Sequence, residues 1–216
     1  MTEIAIYVEG GGDTTDQKAE LRQGFDGLLK DVKSRARAKR LGWKLVCAGG
    51  RRAAYDAFIN ALRTNQGAIN VLLVDSEAPI AAETRKPDQD AAARVAHLTR
   101  RDGWDFSAAR SERVHLMVQC MEAWIVADQE ALGNYYGQYF ARNALPVRQN
   151  LEEESKPDIY DKLAHATRDP RITKGEYGKI RHASQLLQSI DPTKVAQRCP
   201  RFATFTRWLT EAIEGA

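Results

Sequence analysis

The chain has 216 residues, of which 43% are hydrophobic and 28% are charged, a composition typical of a globular domain rather than of a disordered segment. Its net charge of +3 is too small to indicate nucleic-acid binding unless the basic residues are concentrated locally. The three cysteines are far apart and form no CxxC pair, which argues against a disulfide framework or a zinc cluster. No apolar run approaches the roughly 18 residues of a membrane-spanning helix. We therefore expect a cytoplasmic protein without a membrane segment.

Short β-rich runs alternate with longer helical patterns through the first half of the chain. Strands are predicted at residues 4–8, 43–47, 69–74 and 113–121. Apolar residues spaced by three and four predict helices at 14–40, 51–65, 88–101 and 122–132. This order predicts an α/β fold: a mainly parallel, Rossmann-like sheet flanked by helices.

The second half of the chain is less regular. Prolines at positions 146, 157, 170, 192 and 200 divide it into short helical pieces in which apolar and aromatic residues persist. We predict a core at residues 1–133 and a mostly helical C-terminal elaboration at 134–216 that packs on this core.

Acidic residues follow two of the predicted strands. The first strand runs into "VEGGGD", with Glu9 and Asp13, and the third runs into "VDSE", with Asp75 and Glu77. The glycines do not form a P-loop, because no Lys-Ser or Lys-Thr pair follows them. Ligands of parallel sheets bind beyond the carboxyl ends of the strands, and carboxylate oxygens are the ligands that Mg²⁺ prefers. The four acids therefore predict a divalent-metal site, although Asp13 or Thr14 is also suited to capping the following helix.

Several motifs together resemble a known family. A hydrophobic strand that ends in Glu-Gly, followed by a later strand that ends in Asp-x-acid, resembles the TOPRIM domain of topoisomerases, DnaG-type primases and overcoming-lysogenization-defect nucleases. The segments "YVEGGGDT", "GGRRAAYDAF", "VLLVDSEAP", "VHLMVQCMEAWIVAD" and "KGEYGKIRHASQLLQSIDP" resemble a small TOPRIM-like family catalogued as domain of unknown function 4276. The resemblance spans nearly the whole chain.

The resemblance implies specific site residues and a Mg²⁺ or Mn²⁺ cofactor. Glu9 matches the TOPRIM glutamate, and Asp75 and Glu77 match the Asp-x-Asp pair, with Glu in place of the second Asp. Asp13 matches an acid that binds a second metal. Glu122 and Asp128 match further metal-site acids, but they lie about 240° apart on one helix, so we expect Glu122 to be the ligand. Lys174 is the candidate basic residue near the scissile phosphate.

Basic residues cluster near the predicted second strand and in the C-terminal half. The candidates for nucleic-acid contact are Lys33, Arg35, Arg37, Lys39, Arg40, Arg51, Arg52 and Lys179. The run at residues 33–40 is equally suited to a solvated helix end whose cations favour the negative pole of the helix dipole.

The function that these residues predict is metal-dependent hydrolysis of phosphodiester bonds in RNA or DNA. The resemblance further implies tRNA as substrate, an anti-phage defence role and an ABC-type ATPase as partner; the sequence leaves a homodimer open. The alternatives are a non-catalytic, regulatory subunit that binds an ATPase, and a phosphotransfer or small-molecule phosphoesterase activity.

Overall fold

The computed structural model describes residues 2–80 and 87–216. In these ranges the chain forms a four-stranded sheet of β1 (Glu3–Val8), β2 (Gly42–Cys47), β3 (Ile69–Asp75) and β4 (Val114–Met117). The strand order is β2-β1-β3-β4, and every neighbouring pair is parallel. The predicted parallel α/β fold is therefore confirmed.

Ten α-helices occur in the described ranges. They are α1 (Thr15–Leu28), α2 (Lys30–Ala38), α3 (Arg51–Thr64), α4 (Pro87–Asp102), α5 (Glu122–Ala127), α6 (Gln129–Tyr136), α7 (Lys156–Thr167), α8 (Lys179–Ser189), α9 (Pro192–Arg198) and α10 (Pro200–Glu214). Short 3-10 helices lie at Ser111–Arg113, Arg142–Ala144 and Leu151–Glu153. None of these helices is long and apolar enough to cross a membrane.

The alternating side chains of the sheet divide between two hydrophobic layers. In β1, Ile4, Ile6 and Val8 point to one face, and Ala5 and Tyr7 point to the other. The first face packs against α1, α2 and the C-terminal helices, and the second packs against α3 and α4. The region after residue 133 therefore shares one buried cluster with the sheet, as the sequence predicts for its packing.

The structure corrects three predicted boundaries. The helix expected at 14–40 is two helices that meet at the buried Leu29, so that α2 packs on α10 and β2. The helix expected at 122–132 breaks at Asp128, which ends α5 and caps α6 through a bond from the Ala131 N–H to its Oδ1. The strand expected at 113–121 ends at Met117, and the next four residues form a loop beside the end of β3.

Candidate metal centre

Three carboxylates converge at the carboxyl edge of the sheet. Glu9 directly follows β1, Asp75 is the last residue of the adjacent strand β3, and Glu77 lies two residues beyond it. One oxygen of each carboxylate lies within 4.8 Å of the other two. We call Glu9, Asp75 and Glu77 the acidic cluster.

Glu9 is held by one of its two oxygens. Oε2 accepts hydrogen bonds from the backbone N–H of Asp75 at 3.2 Å and from Nη1 of Arg51 at 3.1 Å. Oε1 accepts no hydrogen bond from any residue in the described ranges, which leaves it free to bind a ligand.

Asp75 is the most deeply buried member of the acidic cluster, at 1% exposure. Its Oδ1 accepts a hydrogen bond from the Met121 N–H at 2.9 Å, while Oδ2 faces Nζ of Lys156 at 3.4 Å and Nζ of Lys179 at 3.6 Å. Burial raises the pKa of Asp75 to about 7; the charges of Glu122 and Glu9 act in the same direction, and both lysines act against it. Full ionisation of this carboxyl at neutral pH therefore requires more positive charge than the two lysines supply.

Glu77 reaches the site through an unusual backbone conformation. Its φ of 65° lies in the left-handed region, where a residue with a Cβ is strained by about 1 kcal/mol or more. The turn is held by the Glu77 N–H, which donates to the Gln119 carbonyl at 2.9 Å, and the carboxylate accepts from Nζ of Lys156 at 2.5 Å. The sequence groups Asp75 and Glu77 because both follow the third strand; in the structure the strand ends at Asp75, and the turn brings Glu77 back to the site.

Glu122 lies behind the acidic cluster at the start of α5 and is 0% exposed. Its Oε1 accepts a hydrogen bond from Tyr177 Oη at 3.1 Å and lies 3.7 Å from Nζ of Lys179. The phenol of Tyr160 also hydrogen-bonds the Glu122 carboxylate, so two neighbouring phenols and an ammonium hold this buried group. Burial and the charge of Glu122 raise the pKa of both Tyr177 and Tyr160, so both phenols stay protonated and able to donate.

Three cations surround these four carboxylates. Burial tends to lower the pKa of Lys179 and of Lys156, but the neighbouring carboxylates outweigh burial and raise the pKa of each. Arg51 binds Asp102 through two hydrogen bonds, of 3.1 and 2.7 Å, and its guanidinium lies 5.0 Å from the centre of the Trp104 ring. Arg51 also donates to the Asp75 carbonyl, so it ties the ends of β1 and β3 together.

The remaining predicted metal and catalytic residues are not members of the acidic cluster. Asp13 is exposed and is not a member of the acidic cluster, and Thr14, not Asp13, caps α1 by accepting from the Gln17 N–H at 3.2 Å. Lys174 places its Nζ over the ring of Tyr135, 4.3 Å from the centre. Asp128 has a structural role, because its carboxylate accepts from the backbone N–H groups of Ala131 and Asp191 and from Lys194.

The predicted nucleic-acid contacts divide into two groups. Arg51, Arg52 and Lys179 begin helices at the carboxyl edge of the sheet, although Arg52 pairs with Asp56 on the surface. The other five, Lys33, Arg35, Arg37, Lys39 and Arg40, lie on α2 or directly after it, where the chain approaches the start of β2. A six-residue strand spans about 20 Å, so the end of this run lies at the opposite edge of the sheet from the acidic cluster.

Sequence reasoning missed Lys156 and the two tyrosines. Lys156 begins α7 and meets Asp75 and Glu77 across about 80 residues of sequence, so no local spacing reveals the contact. Tyr177 and Tyr160 lie in the half of the chain that offered only irregular helical patterns. Tyr177 lies in "KGEYGK", the segment in which Lys174 is the residue that the sequence predicts for the site.

The acidic cluster fits a hard divalent cation. All its donor atoms are carboxylate oxygens, and one oxygen from each of the three acids lies within 4.8 Å of the other two. The pKa of Asp75 is raised by burial and by the charges of Glu122 and Glu9, so added positive charge at this site would favour its ionised form.

Residues 8–210 match the model of a single protein family, described as Domain of unknown function (DUF4276). The chain belongs to the DUF4276 family. No curated protein and no solved structure matches the chain. The matched range of this DUF4276 protein includes every residue of the acidic cluster, together with Glu122, Lys156 and Lys179.

Proposed function

We propose that this DUF4276 protein is a divalent-metal-dependent nuclease that hydrolyses phosphodiester bonds. The observation that carries the proposal is the acidic cluster, which gathers carboxylates from the ends of two parallel strands beside the fully buried Glu122. Carboxylates gathered in a largely buried site repel one another, and a divalent cation held among them would offset that repulsion, which supports the proposal.

The likeness to TOPRIM domains supports the type of chemistry. In the TOPRIM pattern a glutamate after one strand and an Asp-x-acid pair after another hold the metal, and Glu9, Asp75 and Glu77 have this arrangement. The same likeness suggests RNA, with tRNA as the first candidate, an anti-phage defence role, and an ABC-type ATPase as partner.

In the proposed mechanism, Glu9, Asp75 and Glu77 hold Mg²⁺ or Mn²⁺. When bound, the ion supplies an activated water and stabilises the charge of the transition state. The water oxygen would bond to phosphorus while its proton passes to solvent, the P–O bond to the leaving sugar oxygen would break, and that oxygen would take up a proton from solvent. Lys156 and Lys179 stay protonated and neutralise the phosphate, while Arg51 keeps Glu9 in place through its bonds to Asp102.

One observation favours a second candidate, a non-catalytic subunit that binds an ATPase. Lys156, Lys179 and Arg51 already pair with the carboxylates, so the cluster could serve as a buried ion-pair network. Such a network does not account for the left-handed backbone of Glu77, which is why we place it second.

The test is a cleavage assay with total tRNA and with plasmid DNA, in Mg²⁺, in Mn²⁺ and in EDTA. Wild type is compared with Glu9→Gln and Asp75→Asn, which preserve side-chain shape while removing one charge. Glu112→Gln is the matched control, because Glu112 is a partly exposed acid that precedes β4, at the opposite edge of the sheet. Manganese binding to each protein is measured in parallel by calorimetry.

We expect cleavage that requires the metal and that is lost in Glu9→Gln and Asp75→Asn but retained in Glu112→Gln. Cleavage in EDTA, or equal cleavage by Glu9→Gln, contradicts the metal mechanism. Manganese binding without cleavage of either nucleic acid favours the binding-subunit candidate.

A further inference from the structure

A cavity of about 230 Å³ adjoins the acidic cluster. A single water needs only about 10–15 Å³ of such volume, so the cavity can hold a larger group. Glu9 and Lys179 form its boundary with the metal centre, and the remaining walls come from the glycine loop after β1, α1 and the first turns of α8. The negative charge of Glu9 offsets the positive charge of Lys179, so the cavity carries no strong net charge.

The glycine loop offers hydrogen-bond donors to this cavity. Gly10, Gly11 and Gly12 all have positive φ, and a Cβ on Gly12 would lie 2.2 Å from Oε1 of Gln17, so side chains are excluded here. The N–H groups of Gly11 and Gly12 donate to no residue in the described ranges. Their main-chain atoms line the cavity with two N–H groups that a ligand can bind, while the space beside their Cα atoms is taken by Gln17, Lys18 and Ile180.

The facing wall is apolar. Leu21, Met121 and Ala183 are buried side chains that line the cavity, and Ile180 stands at its rim with 52% of its surface exposed. Ile180 thus exposes a large aliphatic side chain beside the acidic cluster and the N–H groups of Gly11 and Gly12. This combination suits a ligand with a flat apolar face and polar edges. Unpaired nucleobases are bound in this way, against apolar side chains with hydrogen bonds to their edges.

We propose that this cavity binds one unpaired nucleobase, that of the nucleotide next to the scissile phosphate. This inference rests on the proposed nuclease function for its substrate class. The base packs on Ile180 and Ala183, the N–H groups of Gly11 and Gly12 bind its edge or its phosphate, and Lys179 lies between the base and the acidic cluster. The protein therefore acts on single-stranded or looped nucleic acid.

A binding assay that does not require catalysis tests the subsite. The probes are the four nucleoside 5′-monophosphates, their 2′-deoxy forms and ribose 5-phosphate, titrated into the full chain with Ca²⁺ and followed by calorimetry. The variants are Ile180→Asp, which places a charge at the rim, and Ile180→Leu, which preserves the apolar surface. Val147→Asp is the matched control, because Val147 is 93% exposed and does not line the cavity.

We expect nucleotides to bind roughly tenfold or more tightly than ribose 5-phosphate, and Ile180→Asp to remove that advantage, whereas Ile180→Leu and Val147→Asp retain it. The 2′-deoxy probes distinguish an RNA source from a DNA source. Equal binding of nucleotides and ribose 5-phosphate, or an unchanged preference in Ile180→Asp, overturns the subsite.

A cleavage assay separates this inference from the proposed function. An unstructured oligonucleotide with one abasic position is compared with its intact counterpart, and we expect cutting to be suppressed at the phosphate next to the abasic position. Unaltered cutting there overturns the subsite and leaves the nuclease intact. If neither oligonucleotide is cut but the nucleotide preference depends on Ile180, the subsite stands and the nuclease proposal fails.

Discussion

Replacing Asp75 with asparagine should stabilise the metal-free protein above neutral pH while abolishing its response to divalent ions. Burial raises the pKa of Asp75 from an ordinary value of 3.8 to about 7. In the metal-free chain the folded state therefore holds a proton that the unfolded state releases, and the free energy of unfolding falls as pH rises from about 4 to about 7. The rise in pKa corresponds to roughly 4 kcal/mol in the free energy of unfolding, and the metal-free protein has lost this contribution fully above pH 7.

The asparagine variant lacks this ionisation, and its side chain can still accept the hydrogen bond from the Met121 N–H. The stability difference between variant and wild type should thus grow by roughly 4 kcal/mol between pH 4 and pH 8 in EDTA. Urea denaturation at four pH values across this range measures it. Added Mg²⁺ should restore stability to the wild type at pH 8, because an ion that binds only the folded state stabilises it, and should leave the variant unchanged.

Asp128→Asn is the matched control. Burial acts to raise the pKa of Asp128, but hydrogen bonds from the N–H groups of Asp191 and Ala131 and from Lys194 outweigh it and lower the pKa. The stabilising contribution of this carboxylate is lost only as pH falls below its unfolded pKa of 3.8, so the asparagine variant should be destabilised to a similar extent at pH 8 and at pH 4. Parallel pH profiles for Asp75→Asn and wild type, or equal Mg²⁺ stabilisation of both, would refute the reasoning.

Three further predictions concern Arg51, Glu77 and His182. Arg51→Lys replaces the planar guanidinium that bonds both Glu9 and Asp102 with a single ammonium group. The Kd for Mn²⁺, measured by calorimetry, should therefore rise roughly 10- to 100-fold. Glu77→Asn should lose ion binding but remain within about 1 kcal/mol of wild-type stability in urea, because asparagine tolerates positive φ. Burial lowers the pKa of His182, whose Nδ1 accepts from the Gly178 N–H; protonation therefore opposes folding, and wild type should lose stability from pH 7.5 to 5 relative to His182→Asn.

The fold and the acidic cluster could be predicted because both follow from local patterns. Apolar runs mark the strands, and parallel neighbours bring the residues after them to one edge, which is how Glu9 and Asp75 meet. The break at Leu29 escaped prediction, since the apolar stripe continues through it and tertiary packing decides where the helix bends. The basic residues at the end of the predicted long helix were grouped with Arg51 and Arg52 as candidate nucleic-acid contacts, whereas the end of that run lies at the far edge of the sheet.

The partners of the acids could not be predicted, because they arrive from distant segments. Lys156 begins α7 and Tyr177 precedes α8, and both reach the site only after the C-terminal helices have packed on the sheet. Lys174 and Lys179 flank the same turn, and sequence alone gave no means to decide which of them faces the carboxylates. The left-handed backbone of Glu77 has no sequence signal, so the turn that brings its carboxylate to the cluster could not be predicted.

The most direct test of the metal centre is anomalous diffraction from crystals of the protein soaked in MnCl₂. We expect one anomalous peak about 2.2 Å from carboxylate oxygens of Glu9, Asp75 and Glu77, with the Lys156 ammonium displaced from Glu77. A density map without a peak at this position, in which Lys156 still bonds Glu77, would contradict the account.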